Sequence, residues 1–247
     1  MVSNRWLPRP GGPTSGSISG DSKPMDAQTT RVRRGERSRG GAILEAAREL
    51  FFKNGYRGTT VQQIASQAGY SKRTFYLDYL SKDELFMTIC VEGGELLLKN
   101  FSEIPLHEFS AEAGLERIMQ AYVAFSREQS EYFRMIFSEA TPAIIANCSE
   151  ELRLQVEHLE RACLGVVVGC AERAMREGLI TEIDPWEAAG MLIGAATGII
   201  LLSTGGLQTV FSREALESLV ERAVWSLWRG LRAEDASPEK DLERQEA

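Results

Sequence analysis

The chain has 247 residues, of which 43% are hydrophobic and 26% are charged. This is ordinary globular composition and excludes wholesale disorder, and the length allows one or two domains with cores that need no disulfide. The four cysteines form no C-x-x-C pair and have two histidines to join them, which argues against a structural zinc site. We therefore predict reduced thiols, no metal, no cofactor and a cytoplasmic location.

The charge is unevenly distributed along the chain. Residues 31–82 contain 11 basic and 4 acidic side chains, a net charge of +7, whereas the whole chain has a formal net charge of −7, which leaves −14 for the other 195 residues. This asymmetry predicts a basic module that binds a polyanion, joined to an acidic module with another role. The alternative is a solvated basic face that has no partner.

Helical periodicity runs through most of the chain, and no convincing strand alternation is present. Capping signals mark several helix starts: Thr60 with Gln63, Ser81 with Glu84, and Asp184 before Pro185. The predicted helices are 37–54, 60–68, 71–78, 81–101, 111–129, 131–139, 149–177, 185–204 and 213–232. The composition of residues 1–36 predicts a disordered basic tail, and 233–247 a disordered charged tail. The fold class is therefore all-α.

The uncharged stretch 188–206 is close in length to a membrane span. It is rich in Gly, Ser and Thr, and acidic residues lie at its N-terminal flank. No basic residue lies close to either end, so the anchoring pattern of a span is missing. We predict a buried helix and no membrane contact.

Residues 59–78 have the arrangement of a helix-turn-helix, with two short helices joined by a glycine-containing turn. In such a motif the second helix enters the major groove of DNA. Ser71, Lys72, Arg73 and Thr74 place small, polar and basic groups at the N-terminal end of this helix. The helix N-terminus at Ser81 and Lys82 can also bind a phosphate.

The run from 43 to 86 resembles the N-terminal pattern of the TetR/AcrR family of bacterial transcriptional regulators. The matching positions are Ala47, Leu50, Phe51, Gly55, Tyr56, Thr60, Ile64, Ala65, Gly69, Ser71, Thr74, Tyr76, Lys82 and Leu85. The resemblance implies a three-helix DNA-binding domain at 37–97 and a larger helical ligand-binding and dimerisation domain at 98–232. Leu77 and Asp78 depart from the pattern. Asp78 should repel a phosphate unless it pairs with a basic neighbour such as Lys72, Arg73 or Lys82.

The resemblance also assigns roles at the DNA. Thr60, Tyr76 and Lys82 would contact phosphates, and Ser71 would lie among them at the start of the recognition helix. Gln62, Lys72, Arg73 and Thr74 would face base edges, where arginine or lysine pairs with guanine and glutamine with adenine. Arginines between 31 and 39 could form an arm that reaches the minor groove or the flanking backbone.

The C-terminal helices would enclose a ligand and form the dimer. Candidate ligand-binding residues are Met119, Tyr122, Phe125, Phe133, Phe137 and Trp186, with Tyr132 and Met135 beside them. Small residues at Gly190, Gly194 and Gly198 share one helix face and predict close helix approach across a dimer interface together with Leu219, Ala223 and Leu227. The alternatives are ordinary core packing of the aromatic residues and close packing within one subunit.

The sequence thus predicts a homodimeric repressor that binds double-stranded DNA at a palindrome and is released by an apolar or aromatic small molecule. A transcriptional activator and a helical DNA-binding adaptor without ligand control are the alternatives. An enzyme is disfavoured because no Ser-His-Asp or Cys-His signature, phosphate loop or metal-spaced histidine pair is present.

Overall fold

The computed structural model describes residues 38–204 and 213–232, and within them the protein is all-α. The helices are α1 (Arg39–Asn54), α2 (Val61–Gln67), α3 (Lys72–Phe75), α4 (Lys82–Ser102), α5 (Ala111–Glu128), α6 (Ser130–Arg134), α7 (Pro142–Ala146), α8 (Glu150–Arg176), α9 (Pro185–Thr204) and α10 (Arg213–Gly230). The predicted tails 1–36 and 233–247 lie outside the described residues. So do the arm arginines that precede residue 38.

The N-terminal helices pack around one apolar cluster. Phe51, Ile64 and Phe75 bring α1, α2 and α3 together and are fully buried, and Phe86 adds the start of α4. Gly55 ends α1 and Gly69 makes the turn after α2, both with positive φ (70° and 79°), a conformation that glycine adopts without cost. The predicted helix-turn-helix is therefore anchored on a core that also includes Ile144 of α7 and Leu152 of α8.

The C-terminal helices share a second apolar cluster. It includes Leu115, Tyr122 and Phe125 of α5, Val167 of α8 and Trp228 of α10. An antiparallel bridge between Ile180 and Arg232 joins the end of α10 to the loop before α9. The result is a helical bundle in which α9 packs against both α8 and α10.

The structure corrects the prediction between α4 and α8. A 3-10 turn at Leu106–Glu108 and helix α7 were not predicted, and the predicted helix 131–139 is α6 followed by a π-helical turn at Met135–Glu139. α7 has an N-cap at Thr141 and a proline at its first position, so a start signal was present in the sequence.

One predicted cap also forms only in part. Ser81 Oγ accepts a hydrogen bond from the Glu84 backbone N–H at 3.0 Å. The Glu84 carboxylate does not complete the capping box, because it accepts hydrogen bonds from the Ser149 N–H and hydroxyl at 2.8 and 2.7 Å. It thereby caps α8 in place of its own helix. At Thr60 the full capping box is confirmed.

Helix α9 holds the uncharged stretch and, among the described helices, is long and apolar enough to cross a membrane. One face, with Ala188, Leu192, Ala196 and Ile200, is buried against the bundle. The other face is open, since Met191 and Leu202 are exposed there. The predicted buried helix is therefore buried on one side only.

Candidate nucleic-acid interface and ligand cavity

The recognition helix α3 is short and firmly placed. Ser71 caps it by accepting a hydrogen bond from the Thr74 N–H at 3.1 Å. Phe75 is fully buried and contacts the rings of Tyr76 and Tyr79. Because one buried ring fixes the helix, the side chains before it can project outward in a defined orientation.

Six of the eight predicted DNA-binding residues are exposed: Thr60, Gln62, Ser71, Lys72, Arg73 and Tyr76. Thr74 and Lys82 are half-buried. Within the described part of the chain, the side chains of Lys72 and Arg73 make no hydrogen bond or ion pair. Their charges are therefore available to base edges or phosphates, as direct readout requires.

Lys82, a predicted phosphate contact, also makes hydrogen bonds within the protein. Its ammonium donates hydrogen bonds to the backbone carbonyls of Tyr56 and Thr59 at 2.9 and 3.0 Å, and it lies 3.8 Å from the centre of the Tyr56 ring. Desolvation lowers its pKa. The side chain thus ties the start of α4 to the segment that enters α2, which sequence reasoning did not anticipate.

Asp78 pairs with Arg39, and not with Lys72, Arg73 or Lys82, the basic residues considered from the sequence. The Arg39 guanidinium donates two hydrogen bonds to its carboxylate, at 2.5 and 2.7 Å. These hydrogen bonds hold the pKa of Asp78 below its ordinary value and raise the pKa of Arg39. A nearby Tyr79 hydroxyl donates to the Gly40 carbonyl at 3.1 Å, so the start of α1 is held against the end of the recognition segment.

A cavity of about 320 Å³ lies among α4, α5, α8 and α9. Its wall is almost entirely apolar and is lined by Met87, Cys90, Val91, Gly94, Leu97, Phe101, Tyr122, Ile136, Phe137, Ala140, Ile145, Val156, Leu159, Glu160, Cys163, Leu164 and Ile193. Lys, Arg and His are absent from this lining, and Glu160 supplies a carboxylate. Desolvation, followed by repulsion from Glu157, raises the pKa of Glu160. The volume is within the range of small-molecule sites.

Two of the six predicted ligand residues, Tyr122 and Phe137, lie on this wall. The Tyr122 hydroxyl is 2.7 Å from Thr197 Oγ1, which itself donates to the Ile193 carbonyl, so Tyr122 is the donor. Phe133 packs behind Phe137 at a ring distance of 4.7 Å. Phe125 is buried in the core, whereas Trp186 is exposed at the start of α9, and neither is on the wall.

The remaining predicted residue, Met119, lies in a second groove between α5 and α10 with a volume of about 310 Å³. An ion pair between Arg127 and Glu217 spans this groove. Its wall includes more charged and polar groups than that of the first cavity, among them Glu116, Gln120 and Glu221. The first cavity, whose wall is almost entirely apolar, is therefore the better candidate for an apolar ligand.

The thiols are not poised for chemistry. Burial raises the pKa of Cys163 and of Cys148 to about 11, and it raises the pKa values of Cys90 and Cys170 too. A thiol in this state is a poor nucleophile near neutral pH. No group of three or more potential metal ligands occurs among the described residues.

The three glycines among the predicted dimer residues lie on an uncovered face of α9. A Cβ atom built at Gly190, Gly194 or Gly198 would meet nothing within 4 Å. On α10, Leu219, Ala223 and Leu227 are half-buried. The small residues are thus not required for packing within one subunit.

The comparisons with known proteins match the chain in two separate parts. Residues 43–89 match the family model of bacterial regulatory proteins of the tetR family. Residues 115–227 match the model of the tetracyclin repressor-like C-terminal domain. Together the two models cover most of the described chain.

Some relatives are similar over most of their own length, and others only over a short segment. The HTH-type transcriptional activator FasR of Mycolicibacterium smegmatis is 26% identical over 211 residues, which are 81% of this chain and 87% of FasR. The structure of Bacillus subtilis FadR in complex with stearoyl-CoA aligns with a TM-score of 0.60 and 21% identity, over 77% of this chain and 98% of FadR. AibR in complex with isovaleryl coenzyme A and operator DNA aligns with a TM-score of 0.57 and 22% identity, over 77% and 98% of the two chains.

The fold, the exposed helix-turn-helix and both family models agree. The protein belongs to the TetR family of DNA-binding transcriptional regulators.

Proposed function

We propose that the protein is a ligand-responsive regulator that binds a palindromic operator as a homodimer and is released from it by a small molecule. The observation that carries this proposal is the recognition helix itself. Lys72 and Arg73 project from a helix that the buried Phe75 fixes in place, and no partner within the described residues engages them. Such side chains discriminate base pairs when they reach the major groove.

The open face of α9 supports the homodimer. Gly190, Gly194 and Gly198 leave room for a second helix, and exposed Met191 and Leu202 flank them. Burying such a face against its copy is the simplest way to remove it from water. Two recognition helices in successive major grooves of a palindrome would then be about 34–36 Å apart.

The apolar cavity supports a ligand with a hydrocarbon part. The lining holds no basic residue to meet phosphates, so the cavity would hold an acyl chain while a charged head group stays outside. FadR and AibR were both captured with acyl-coenzyme A thioesters, which is the same division between an apolar chain and a charged carrier. We propose an acyl thioester as the ligand, acting on a cytoplasmic protein.

Activation is the second candidate outcome. It is favoured by FasR, whose name gives it as a transcriptional activator and which is similar over 81% of this chain. Transcription in vitro from a promoter that carries the selected operator distinguishes repression from activation. A repressor lowers transcript yield when added without ligand, and an activator raises it.

The first experiment selects bound duplexes from a random pool, so that the result does not depend on where the operator lies in a genome. The affinity of the selected duplex is then compared with that of a shuffled duplex by fluorescence anisotropy. We expect a preference of about a thousandfold or more. If each subunit neutralises about three to five phosphates, log K should fall against log salt with a slope of about −5 to −9 for the dimer.

The second experiment adds isovaleryl-CoA, decanoyl-CoA or stearoyl-CoA, with free coenzyme A as the control. We expect an acyl thioester to change operator affinity by about 5- to 150-fold, the usual range of coupling between two sites. Equal affinity for selected and shuffled duplexes would support the adaptor without sequence preference. Selective binding that no acyl thioester alters would overturn the ligand class.

A further inference from the structure

The segment from Arg134 to Ser149, here called the connector, joins α6 to α8 and has two sides. One side forms part of the cavity wall through Ile136, Phe137, Ala140 and Ile145. These residues come from the π-helical turn, from α7 and from the residue between them. Any molecule that fills the cavity therefore touches the connector.

The other side of the connector holds the end of α1. Arg134 Nη2 donates hydrogen bonds to the carbonyls of Phe51 and Phe52 at 3.2 and 2.9 Å. Glu139 accepts one from the Tyr56 N–H at 2.6 Å and forms an ion pair with Arg134. A cation at the last carbonyls of a helix also stabilises it through the helix dipole. We call Arg134 and Glu139 the clasp.

The far end of the connector is tied to the start of α4. Asn147 Nδ2 donates to Asp83 at 2.8 Å, and Asp83 also accepts a hydrogen bond from the Tyr56 hydroxyl. Glu84 accepts hydrogen bonds from Ser149, as described for the α8 cap. Both ends of the connector thus hold the helices that flank α2 and α3.

The π-helical turn places the wall of the cavity and the contact with α1 within one turn of backbone. Ile136 and Phe137 face the cavity, and Glu139, two residues later, holds the Tyr56 N–H. π-helical turns are rare and are frequent at functional sites. A shift of this turn moves the wall residues and the clasp together, because they share one stretch of backbone.

We infer that the clasp transmits occupancy of the cavity to the helix-turn-helix. An occupant that displaces Phe137 moves the backbone of Met135–Glu139, and hydrogen bonds of 2.6–3.2 Å are lost when their atoms separate by about 1 Å. Release of α1 then alters the packing that positions α2 and α3. The inference rests on the proposed function, since it requires a regulator that binds an operator.

The test fills the cavity without any ligand. Cys163 lines the wall from α8, opposite the connector, and Cys163→Phe places a ring in the space. Operator affinity is measured by anisotropy for the unmodified protein, Cys163→Phe, Glu139→Gln and the double variant. We expect Cys163→Phe to change the operator Kd by about fivefold or more in the unmodified background and by less than about twofold in the Glu139→Gln background, which is the signature of a coupled pair.

A matched control comes from the opposite end of the bundle. Arg173 also donates to two backbone carbonyls, those of Leu106 and Phe109, and also pairs with a glutamate, Glu177, at 2.9 Å. Arg134→Lys should abolish the effect of Cys163→Phe, whereas Arg173→Lys should leave it unchanged. Thermal unfolding is recorded for each variant, and Cys163→Met replaces Cys163→Phe if the larger ring prevents folding.

The outcomes separate the inference from the function beneath it. If filling the cavity changes operator affinity by the same factor with and without the clasp, or not at all, the inference is overturned. If decanoyl-CoA releases the operator equally well from the unmodified protein and from Glu139→Gln, the proposed function stands and the inference fails. If the clasp governs the effect of Cys163→Phe while no acyl thioester acts, the inference stands and the proposed ligand class fails.

Discussion

At the scale of single residues, the pair of Arg39 and Asp78 decides how the recognition segment meets a polyanion. Asp78 carries a negative charge two residues after Tyr76, a predicted phosphate contact, and two hydrogen bonds from Arg39 offset it. We predict that Arg39→Gln weakens operator binding several-fold, because it leaves that charge uncompensated, and that Arg39→Gln with Asp78→Asn restores the affinity to within about twofold.

Arg39→Gln should also shift the titration of Asp78. Its pKa is depressed in the folded protein, so the pair contributes stability above the unfolded-state pKa of about 3.9 and loses it as the pH falls through the folded-state value. Carboxyl carbon shifts measured by NMR against pH should show the Asp78 midpoint rising in Arg39→Gln. A double variant that binds DNA as weakly as Arg39→Gln would show that Arg39 itself contacts the operator.

Lys82 is the second residue whose role the structure extends. Removing its ammonium takes the Lys82 donor from the Thr59 carbonyl and leaves the Tyr56 carbonyl with the Thr59 N–H at 3.3 Å, at a cost of about 1–2 kcal/mol. We predict that Lys82→Met lowers Tm by about 2–8 °C at fixed protein concentration, measured without DNA. Lys72→Met on the exposed recognition helix is the control and should leave Tm unchanged. An unaltered Tm in Lys82→Met would leave its predicted phosphate contact as its whole role.

At the scale of elements, helix α3 should divide its contacts by kind. Lys72→Ala and Arg73→Ala should each relax preference at particular base positions, at a cost of about 1–3 kcal/mol for a bidentate contact. Tyr76→Phe should weaken all duplexes about equally, because a phosphate contact carries no sequence information. Binding to a library of single-base operator variants distinguishes the two patterns. A uniform loss in Lys72→Ala would assign that residue to the backbone.

The elements differ in how well the sequence predicted them. The starts of α2, α3 and α9 depend on local signals at Thr60, Ser71 and Asp184, and the structure confirms each cap. The π-helical turn at Met135–Glu139 was predicted as ordinary helix, because its geometry depends on contacts that the local sequence does not contain. Glu139 bonds to Tyr56, 83 residues away in sequence.

The candidate site shows the same limit. Tyr122 and Phe137 were predicted because large aromatic residues often line pockets, yet Phe125 satisfies the same pattern and is core. The wall residues Met87, Cys90 and Val156 were missed, since an apolar residue has the same periodicity whether it faces a core or a cavity. The partner of Asp78 was missed because Arg39 is 39 residues away in sequence.

At the scale of the whole molecule, the uncovered face of α9 predicts how the protein assembles. A side chain at Gly194 meets nothing within its own subunit, so Gly194→Glu should leave the subunit folded. Across a two-fold axis the same change places two unpaired charges in one interface, which should weaken dimerisation by about a hundredfold or more. Sedimentation velocity measures the dimer, and anisotropy should show operator affinity falling in parallel.

The control is Gln155→Glu, which adds the same charge at an exposed position of α8. It should leave both the sedimentation coefficient and operator binding unchanged. A dimeric Gly194→Glu variant would place the interface elsewhere on the bundle.

Two glycines that the sequence makes look alike should differ in mutational tolerance. Gly55 and Gly69 both have positive φ, but a Cβ at Gly69 would meet nothing within 4 Å, whereas one at Gly55 would lie 3.3 Å from the Glu139 carboxylate and 3.4 Å from Arg134. Asparagine tolerates the left-handed conformation. In a saturation library selected for regulated reporter expression, position 69 should therefore accept asparagine and position 55 should accept glycine alone. At Gly55 the end of α1 lies against the clasp, and we therefore expect no residue other than glycine to be accepted there.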